Sequence, residues 1–304
     1  MSLYIFRFRP IVITCPIPRD NSLPTVLSII TLSSSRLPPS NYLTVYYNTL
    51  NDTPVRQFTM CLSPLHGISQ KPSDLVQYIE LNRLLGAEHF IIYNYTLGNP
   101  MDNAILNYYA KQGIAEIVPW NLPRNIKHPE GIWYYAQVAM LTDCMLRNRG
   151  VSKRVVTTDM DEFIVPLQGA NWFDILDNEP VSCEYSFKCV AFTEDATFSS
   201  GLHLSTQTRL TRKKDVINDK YRTKYIVDPK CIEIPGIHFS MYIKAPSKMA
   251  NVTTVSTDAA LTYHYNAYLA TGETTKDVAM KRYKYELTKN VRQVLEKIYS
   301  TTAR

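Results

Sequence analysis

Two aspartates at the end of an apolar segment are the residues whose type and spacing best suit chemistry. Asp159 and Asp161 stand in the stretch 157–166, at the end of a segment that is predicted to be a strand. Alternate residues of an extended chain point the same way, so the two carboxylates face one point. Carboxylate oxygens suit hard divalent cations such as Mn²⁺ and Mg²⁺. The pattern therefore predicts a metal site, where a pyrophosphate could complete the coordination.

A chance occurrence is the alternative, because an Asp-x-Asp triplet is expected about once in a chain of this length. The position of this triplet argues against chance. Two unpaired carboxylates beside an apolar strand are costly unless a cation or hydrogen-bond donors compensate them. The carboxyl end of a strand is also where open α/β sheets bind ligands. We therefore favour the metal site.

The elements that must position these aspartates alternate between strand and helix. This alternation implies right-handed crossovers and an α/β fold, with a mainly parallel sheet covered by helices. Neither a G-x-G-x-x-G motif nor a P-loop motif occurs, so dinucleotide and P-loop sites lose their main support. Strands are predicted at 58–65, 89–95, 114–120 and 154–159, and helices from Ser73 or Asp74 to Gly86, from Asn99 to Gly113, at 132–147 and at 275–299.

The composition is that of an ordinary globular protein. Of 304 residues, 45% are hydrophobic and 20% are charged, which excludes low-complexity disorder, collagen and coiled coil. The 33 Lys and Arg exceed the 27 Asp and Glu by six, an excess too diffuse to predict a nucleic-acid partner. No window approaches the roughly 18 consecutive apolar residues of a membrane span, so we expect no membrane anchor in this chain.

The cysteines indicate disulfides rather than a zinc site. They include no CxxC pair, so a zinc cluster is not expected, and at least one disulfide is expected if the protein matures in an oxidising compartment. Cys183 with Cys189 is a plausible local pair, and Cys15 a plausible link from the N-terminal segment to the core. The six cysteines are Cys15, Cys61, Cys144, Cys183, Cys189 and Cys231.

The segments around the two aspartates resemble glycosyltransferase family 92. The matching segments follow one another in order along nearly the whole chain, which is hard to obtain by chance. They are residues 15–18, 60–64, 84–90, Gln137 with Asp143 and Cys144, residues 159–164, 224–229 and 236–238, and His264 with Tyr265.

The resemblance implies a GT-A type fold and inverting transfer of galactose from UDP-galactose to a hydroxyl of an acceptor glycan, with Mn²⁺ or Mg²⁺ as helper ion. The residues agree with this chemistry. Negative charge develops on the departing UDP, and a cation held by Asp159 and Asp161 would stabilise it by several kcal/mol in a water-poor site. The resemblance also implies the Golgi lumen or another secretory compartment, with the membrane anchor outside this chain. Sequons of the N-x-Thr type favour the same compartment, at Asn51, Asn94 and Asn251.

Two regions follow from this interpretation. Residues 58–304 form a GT-A-like catalytic domain, with an irregular acceptor-side region after Pro166. Residues 1–57 are rich in Ser, Pro and Thr and form an N-terminal flanking segment that packs on the catalytic domain.

Four further residues are predicted to bind the donor, and three have a plain alternative. Gln137 belongs to the matching segments. Lys224 adds a positive contact, unless it is a solvated lysine in a basic stretch. His66 ends the first strand, where it meets the nucleoside unless it is an ordinary loop residue. Tyr93 stacks on uracil, unless it packs against a neighbouring helix.

A histidine is expected as a third protein ligand of the ion, and strand parity separates two candidates. His264 shares its face of a predicted strand with polar residues, as a residue that faces a site does. His238 shares its face with isoleucines, which indicates a buried structural role unless Pro235 and Gly236 insert a bulge. Neutral imidazole binds manganese acceptably beside carboxylates, so we favour His264 and keep His238 as the alternative.

Two departures from the family pattern bear on activity. Asn266 stands where an arginine is usual, so one positive contact is missing. Gln207 stands where a glutamate is expected, and glutamine cannot act as the general base that inverting transfer needs. Glu194 and Asp195 are the nearest carboxylates in sequence and become the candidate catalytic residues, unless both are simply solvated.

These departures keep two other functions open. The first is a catalytically inactive protein of the same fold that binds a nucleotide sugar or a glycan. The second is a nucleotidyltransferase, which also uses paired carboxylates but would release pyrophosphate from UTP.

Overall fold

A mainly parallel, seven-stranded sheet runs through the computed structural model, which describes residues 9–16, 23–30, 38–39, 41–47, 53–67, 71–97, 99–123, 131–194, 202–247 and 249–302. The strands of this part of the chain are β1 Val26–Leu27, β2 Leu43–Thr44, β3 Arg56–Gly67, β4 His89–Leu97, β5 Ala115–Pro119, β6 Ser152–Thr158, β7 Glu162–Pro166, β8 Ser182–Phe187, β9 Cys189–Ala191, β10 Thr211–Lys213, β11 Lys224–Val227, β12 Ile232–Ile234, β13 Tyr242–Ile243, β14 Ala250–Thr254, β15 Ala260–His264 and β16 Thr274–Lys276. The helices are α1 Pro72–Leu85, α2 Pro100–Lys111, α3 Gln137–Asn148, α4 Trp172–Leu176, α5 Ser205–Thr208 and α6 Lys284–Thr302. Short 3-10 helices cover Trp133–Ala136, Lys220–Arg222, Ala267–Leu269 and Ala279–Tyr283.

The large sheet has the strand order β14-β8-β11-β6-β3-β4-β5. Neighbouring strands are parallel except at β11, which runs antiparallel to both β6 and β8. The carboxyl ends of the other six strands therefore lie along one edge, beside the start of β11. This confirms the α/β fold class, and the edge is the one at which such sheets bind ligands.

Both faces of this sheet are buried, because apolar residues point alternately to one face and the other and pack in two core clusters. On β4, Phe90 and Ile92 join the core cluster that includes residues of α1, α2 and α6. Ile91 and Tyr93 point to the other face and join the cluster under α3. A separate sheet of order β7-β15-β9 pairs Glu162 with His264 in antiparallel register, so it brings polar residues to one place.

Two predicted helices begin at different residues from those expected. Helix α1 starts at Pro72 with Lys71 as its N-cap, so Ser73 and Asp74 lie in the first turn rather than at the cap. Proline is well suited to that first position because its missing N–H has no partner there anyway. The helix predicted at 275–299 begins only at Lys284, since β16 ends at Lys276 and a 3-10 helix covers Ala279–Tyr283.

A left-handed turn replaces the first part of the helix predicted at 132–147. Tyr134, Tyr135 and Ala136 have φ angles of 40°, 53° and 62°, and α3 begins at the next residue, Gln137. For L-residues other than glycine this conformation costs about 1–2 kcal/mol per residue. The turn contains no glycine that would have announced it.

Two disulfides tie separate elements together. Cys61–Cys144 joins β3 to α3, and Cys183–Cys231 joins β8 to the residue before β12. The expected presence of a disulfide is confirmed, but the predicted pair of Cys183 with Cys189 is wrong. The extended strand β8 separates these two residues by roughly 20 Å, whereas a disulfide needs Cα atoms within about 7 Å.

Two other cysteines are unpaired among the described residues. Cys189 is buried and Cys15 is exposed, so the link predicted from Cys15 to the core is absent from this part of the chain.

The sequons differ in their surroundings. Asn251 is exposed on β14, an edge strand, whereas Asn94 is only partly exposed on β4, between two other strands. Asn51 lies outside the described residues.

The predicted division of the chain at residue 57 remains a prediction. The strand that crosses it, β3, begins at Arg56, and the described N-terminal residues include the antiparallel pair β1 and β2. Of the helices that the structure describes, none is both long and apolar enough to cross a bilayer.

We predict that Cys144→Ser lowers the free energy of unfolding by about 2–5 kcal/mol, because opening this long loop restores freedom to the unfolded chain. Chemical denaturation of the oxidised protein measures the loss, and Cys15→Ser is the control that leaves stability unchanged. Peptide mapping should recover Cys61–Cys144 and Cys183–Cys231. A peptide that joins Cys183 to Cys189 would contradict the assignment.

Candidate functional site

A cavity of about 490 Å³ opens at the carboxyl edge of the large sheet. Its volume lies within the range of roughly 300–1,000 Å³ that is usual for small-molecule sites. Residues from both sheets, from α3 and from the left-handed turn line it. They include Ser63, His66, Trp133, Tyr134, Gln137, Asp159, Asp161, Glu162, Arg222, His238, His264 and Asn266.

Asp159 is held by donors from three different elements. Its Oδ1 accepts hydrogen bonds from Ser63 Oγ of β3 at 2.5 Å and from Gln137 Nε2 of α3 at 3.1 Å. Its Oδ2 accepts one from Lys224 Nζ of β11 at 2.8 Å. Burial by itself would raise the pKa of Asp159, but the Lys224 ammonium and the Ser63 hydroxyl hold it well below its usual range. The carboxylate is therefore charged and fixed in orientation.

Lys224 is buried between two carboxylates. Its side chain is 1% exposed, and its Nζ lies 2.8 Å from Asp159 Oδ2 and 2.7 Å from Glu162 Oε2. Burial alone would lower the pKa of Lys224, but the two carboxylates raise it by more than burial lowers it, so the net shift is upward. The alternative of a solvated lysine is wrong. The ammonium contacts Asp159 and Glu162, which line the cavity. A role of Lys224 in donor binding remains a prediction.

Asp161 and His264 meet at the floor of the cavity. His264 Nε2 lies 3.2 Å from Asp161 Oδ2, and its Nδ1 lies 3.3 Å from Glu162 Oε1. The Asp161 side chain is 47% exposed, whereas that of His264 is 10% exposed. Burial lowers the pKa of His264, but the Asp161 and Glu162 carboxylates raise it more. The structure thus brings together the aspartate and the histidine that strand parity favoured.

His238 also lines the cavity, so its predicted place in the core is wrong. Strand β12 ends at Ile234, and strand parity does not extend four residues beyond it. The Nδ1 atom of His238 lies 3.1 Å from the Thr223 carbonyl oxygen. Burial, helped by the Lys224 charge, lowers the pKa of His238 to about 4, so this imidazole is neutral near pH 7.

A divalent cation fits the chemistry of two of these side chains. Within the described residues, no three His, Cys, Asp or Glu side chains are arranged to hold a metal ion. The Lys224 ammonium lies between Asp159 and Glu162. Asp161, whose side chain is nearly half exposed, and His264 both line the cavity. Carboxylate oxygen and imidazole nitrogen suit Mn²⁺, so these two would hold the ion and Asp159 would support them.

The predicted donor residues fall into two groups. Gln137 and His66 line the cavity, and the His66 ring lies 4.0 Å from that of Tyr135. Tyr93 does not line it. Its side chain is fully buried, its hydroxyl donates to Asp143 Oδ2 at 2.6 Å, and its ring meets Trp120 edge-on. The predicted stacking of Tyr93 on uracil is therefore wrong, and the alternative of packing beside a helix is confirmed.

The residues considered as general base lie elsewhere. Glu194 is exposed and does not line the cavity, and Asp195 lies outside the described residues. Gln207 is buried on α5, where its Nε2 donates to the Met280 carbonyl oxygen at 3.1 Å. Gln207 therefore does not line this cavity, whereas Asn266 does.

Several cavity residues carry no signal of their role in the sequence. Ser63 and Glu162 stand inside matching segments, and their roles depend on contacts between strands, with Asp159 for Ser63 and with Lys224 for Glu162. Trp133 and Tyr134 reach the cavity because the left-handed turn carries them there. Arg222 lines the cavity from a short 3-10 helix that no periodicity announces.

The model of glycosyltransferase family 92 matches residues 56–303, more than four-fifths of the chain. The chain belongs to glycosyltransferase family 92. Its α/β fold is accordingly of the GT-A type that the resemblance implied.

Relatives within the family are distant. Beta-1,4-galactosyltransferase galt-1 of Caenorhabditis elegans is 27% identical over 219 residues, which are 69% of this chain and 48% of that protein. A further C. elegans protein, named as a glycosyltransferase family 92 protein, is 27% identical over 139 residues, 43% of this chain and 27% of that protein. This chain spans about half of the first relative and about a quarter of the second.

Solved structures of other proteins are similar at a lower level. S. aureus TarS aligns with a TM-score of 0.36 and 11% identity over 69% of this chain and 37% of that chain. S. aureus TarS 1-349 in complex with UDP aligns with a TM-score of 0.33 and 12% identity over 69% of this chain and 60% of that chain.

We predict that Lys224→Met lowers the free energy of unfolding by about 3–5 kcal/mol, because it leaves two carboxylates close together without their buried cation. Urea unfolding measures the loss. Lys230→Met, in the same basic stretch but exposed, is the matched control and should change stability by less than about 0.5 kcal/mol. Equal stability of the two variants would show that the ion pair is not formed in solution.

Proposed function

We propose that this chain is a metal-dependent inverting galactosyltransferase, which moves galactose from UDP-galactose to a hydroxyl of an acceptor glycan in the Golgi lumen or another secretory compartment. The observation that carries the proposal is the meeting of Asp161 and His264 on the floor of the cavity, beside the fixed Asp159 carboxylate, in a member of glycosyltransferase family 92.

The donor would lie along the sheet edge with its uridine towards the end of β3. There His66 and the partly exposed rings of Trp133 and Tyr134 offer aromatic faces to a base. The diphosphate would lie over Asp161 and His264, with the Arg222 guanidinium on the same wall. Arginine is well suited to phosphate because its planar fork donates two parallel hydrogen bonds.

The chemical step is a single displacement at the anomeric carbon. The acceptor hydroxyl attacks while the bond to UDP breaks, and negative charge accumulates on the departing diphosphate. A divalent cation on Asp161 and His264 would supply positive charge at that point. Lys224 keeps Asp159 ionised and oriented without entering the cavity. A general base must take the proton from the acceptor hydroxyl, and Asp195 is the candidate that remains of the predicted pair.

A protein that binds the nucleotide sugar without transferring it is the second candidate. The observation in its favour is the Lys224 ammonium, which pairs with both Asp159 and Glu162 and so competes with a cation for the Asp159 carboxylate. The two candidates differ in the product: both bind UDP, and only the transferase gives a galactosylated glycan.

We predict that Asp161→Ala and Asp159→Ala each lower transfer by at least about 10²-fold, because each weakens the charge stabilisation of the leaving diphosphate. Purified protein is incubated with UDP-galactose, Mn²⁺ and a mixed glycan array, and galactosylated products are quantified by mass spectrometry. Asp258→Ala, at an exposed turn outside the cavity, is the control and keeps full transfer. A chelator should abolish transfer and added Mn²⁺ restore it.

Three outcomes would contradict this proposal. Near-normal transfer by a folded Asp161→Ala variant would mean that the carboxylate pair is not the site. Full activity in chelator would mean a metal-independent reaction. Tight UDP binding with no galactosylated glycan would favour the binding protein.

We predict that His264→Ala raises the Mn²⁺ concentration needed for half-maximal transfer at least ten-fold, because it removes one of two protein ligands. His238→Ala should leave that concentration unchanged, since His238 contacts Thr223 rather than either aspartate. Titration of transfer with Mn²⁺ measures both variants. The opposite result would move the ligand from His264 to His238.

A further inference from the structure

A second cavity lies beside the first at the carboxyl edge of the sheet. It has a volume of about 270 Å³, and we call it the side groove. Six of its lining residues carry the argument: Glu184, Ser186, Lys188, Lys220, Phe239 and Thr254. The volume falls just below the roughly 300 Å³ at which drug-sized sites begin, so the groove suits one sugar ring rather than a nucleotide.

The side groove and the main cavity share a wall that is one residue thick. Arg222 and His238 line the main cavity, while their chain neighbours Thr223 and Phe239 line the groove. Two contacts hold the wall together. Thr223 Oγ1 donates to the His238 carbonyl oxygen at 2.7 Å, and His238 Nδ1 lies 3.1 Å from the Thr223 carbonyl oxygen. A ligand long enough to pass over this wall would contact residues of both cavities.

The order of strands places the groove on the acceptor side. The aromatic faces proposed for uridine lie near β3, and the paired aspartates follow β6. The groove lies further along the same edge, at the ends of β8 and β14, with the start of β11 between. A donor laid from β3 towards β6 therefore points its galactose, and not its base, towards the groove.

The side chains of the groove suit a neutral, hydroxylated ligand. Glu184 is 1% exposed, and its Oε2 accepts a hydrogen bond from the Ser240 backbone N–H at 2.8 Å. Ser186 and Thr254 add hydroxyls, and Phe239 adds an aromatic ring. Sugars present hydroxyls at the ring edge and C–H groups on the ring face, which match this combination of polar groups and an apolar ring.

The charges of the groove argue against an anionic ligand. Lys188 and Lys220 line the groove together with Glu184 and Asp219, so two positive and two negative side chains offset one another. A phosphate or sulfate would meet the Glu184 carboxylate, whereas a sugar hydroxyl can donate to it.

We propose that the side groove binds the acceptor glycan at the sugar residue next to the one that receives galactose. This inference rests on the proposed transferase function. In this proposal Glu184, Thr254 and Phe239 determine acceptor specificity. A disaccharide is then the smallest acceptor that occupies both the main cavity and the side groove.

Thr254→Trp is the variant that tests the groove, because Thr254 is exposed on the edge strand β14 and a tryptophan there fills the space. Asp258→Trp, at an exposed turn four residues further on, is the matched control. Lys220→Ala is a second variant at the rim, in case the tryptophan disturbs folding. The probes are methyl glycosides of galactose, glucose, mannose, fucose and N-acetylglucosamine, together with disaccharides built from the same sugars.

The quantity measured is the ratio of kcat/KM for the best disaccharide to kcat/KM for the monosaccharide at its galactose-receiving end. We expect this ratio to fall at least ten-fold in Thr254→Trp, through KM of the disaccharide, and about three-fold in Lys220→Ala. The control should keep the ratio of the unchanged protein. An unchanged ratio in both groove variants would overturn the groove assignment while leaving the transferase proposal intact.

Absence of transfer to every probe by the unchanged protein would instead contradict the proposed function. The groove is then tested by saturation-transfer NMR with the same disaccharides. Binding that Thr254→Trp removes and Asp258→Trp keeps would support a sugar site. No binding at millimolar disaccharide, or equal binding by both variants, would overturn it.

Discussion

The buried ammonium of Lys224 is the interaction on which the floor of the cavity depends. Asp159 and Glu162 lie on either side of it, at 2.8 and 2.7 Å, and two carboxylates so close cannot both stay ionised without a cation between them. Glu162 then lies beside His264, and His264 beside Asp161. Cationic and anionic side chains thus alternate from β11 through the turn after β6 to β15. Their contacts connect the three-stranded sheet β7-β15-β9 to the seven-stranded sheet.

This arrangement makes the two aspartates of one triplet unequal. Asp159 receives hydrogen bonds from β3, α3 and β11 and has little freedom left. Asp161 has its histidine contact and a side chain that is nearly half exposed. Preorganised charge costs no reorganisation when a ligand arrives. The fold therefore supplies one fixed carboxylate as part of the floor and leaves the other available to a ligand.

The sequence predicted the parts of this site that local pattern controls. Apolar strands and the helix termini at Gly86 and Asn99 follow from periodicity and capping, and the structure has them. Asp159 and Asp161 both line the cavity, but they lie in the turn between β6 and β7 rather than on an extended strand. Prediction from the sequence failed where contacts between segments that are distant in sequence determine the position of a side chain. A basic stretch gave no sign that Lys224 is buried, because its carboxylate partners are some sixty residues away in sequence. Tyr93 is covered by α3, and no glycine marks the left-handed turn before that helix.

The Cys61–Cys144 disulfide ends close to two groups that hold the same oxygen of Asp159. Cys61 stands two residues before Ser63 on β3, and Cys144 stands about two helical turns after Gln137 on α3. The bond thus sets the spacing between the strand and the helix that donate to that oxygen. A chain kept in a reducing environment must maintain this spacing by side-chain packing and by the hydrogen bond from Gln137 Nε2 to Ser63 Oγ. Oxidation of Cys61 and Cys144, which lie outside the cavity, thus helps to position the two groups that donate to Asp159.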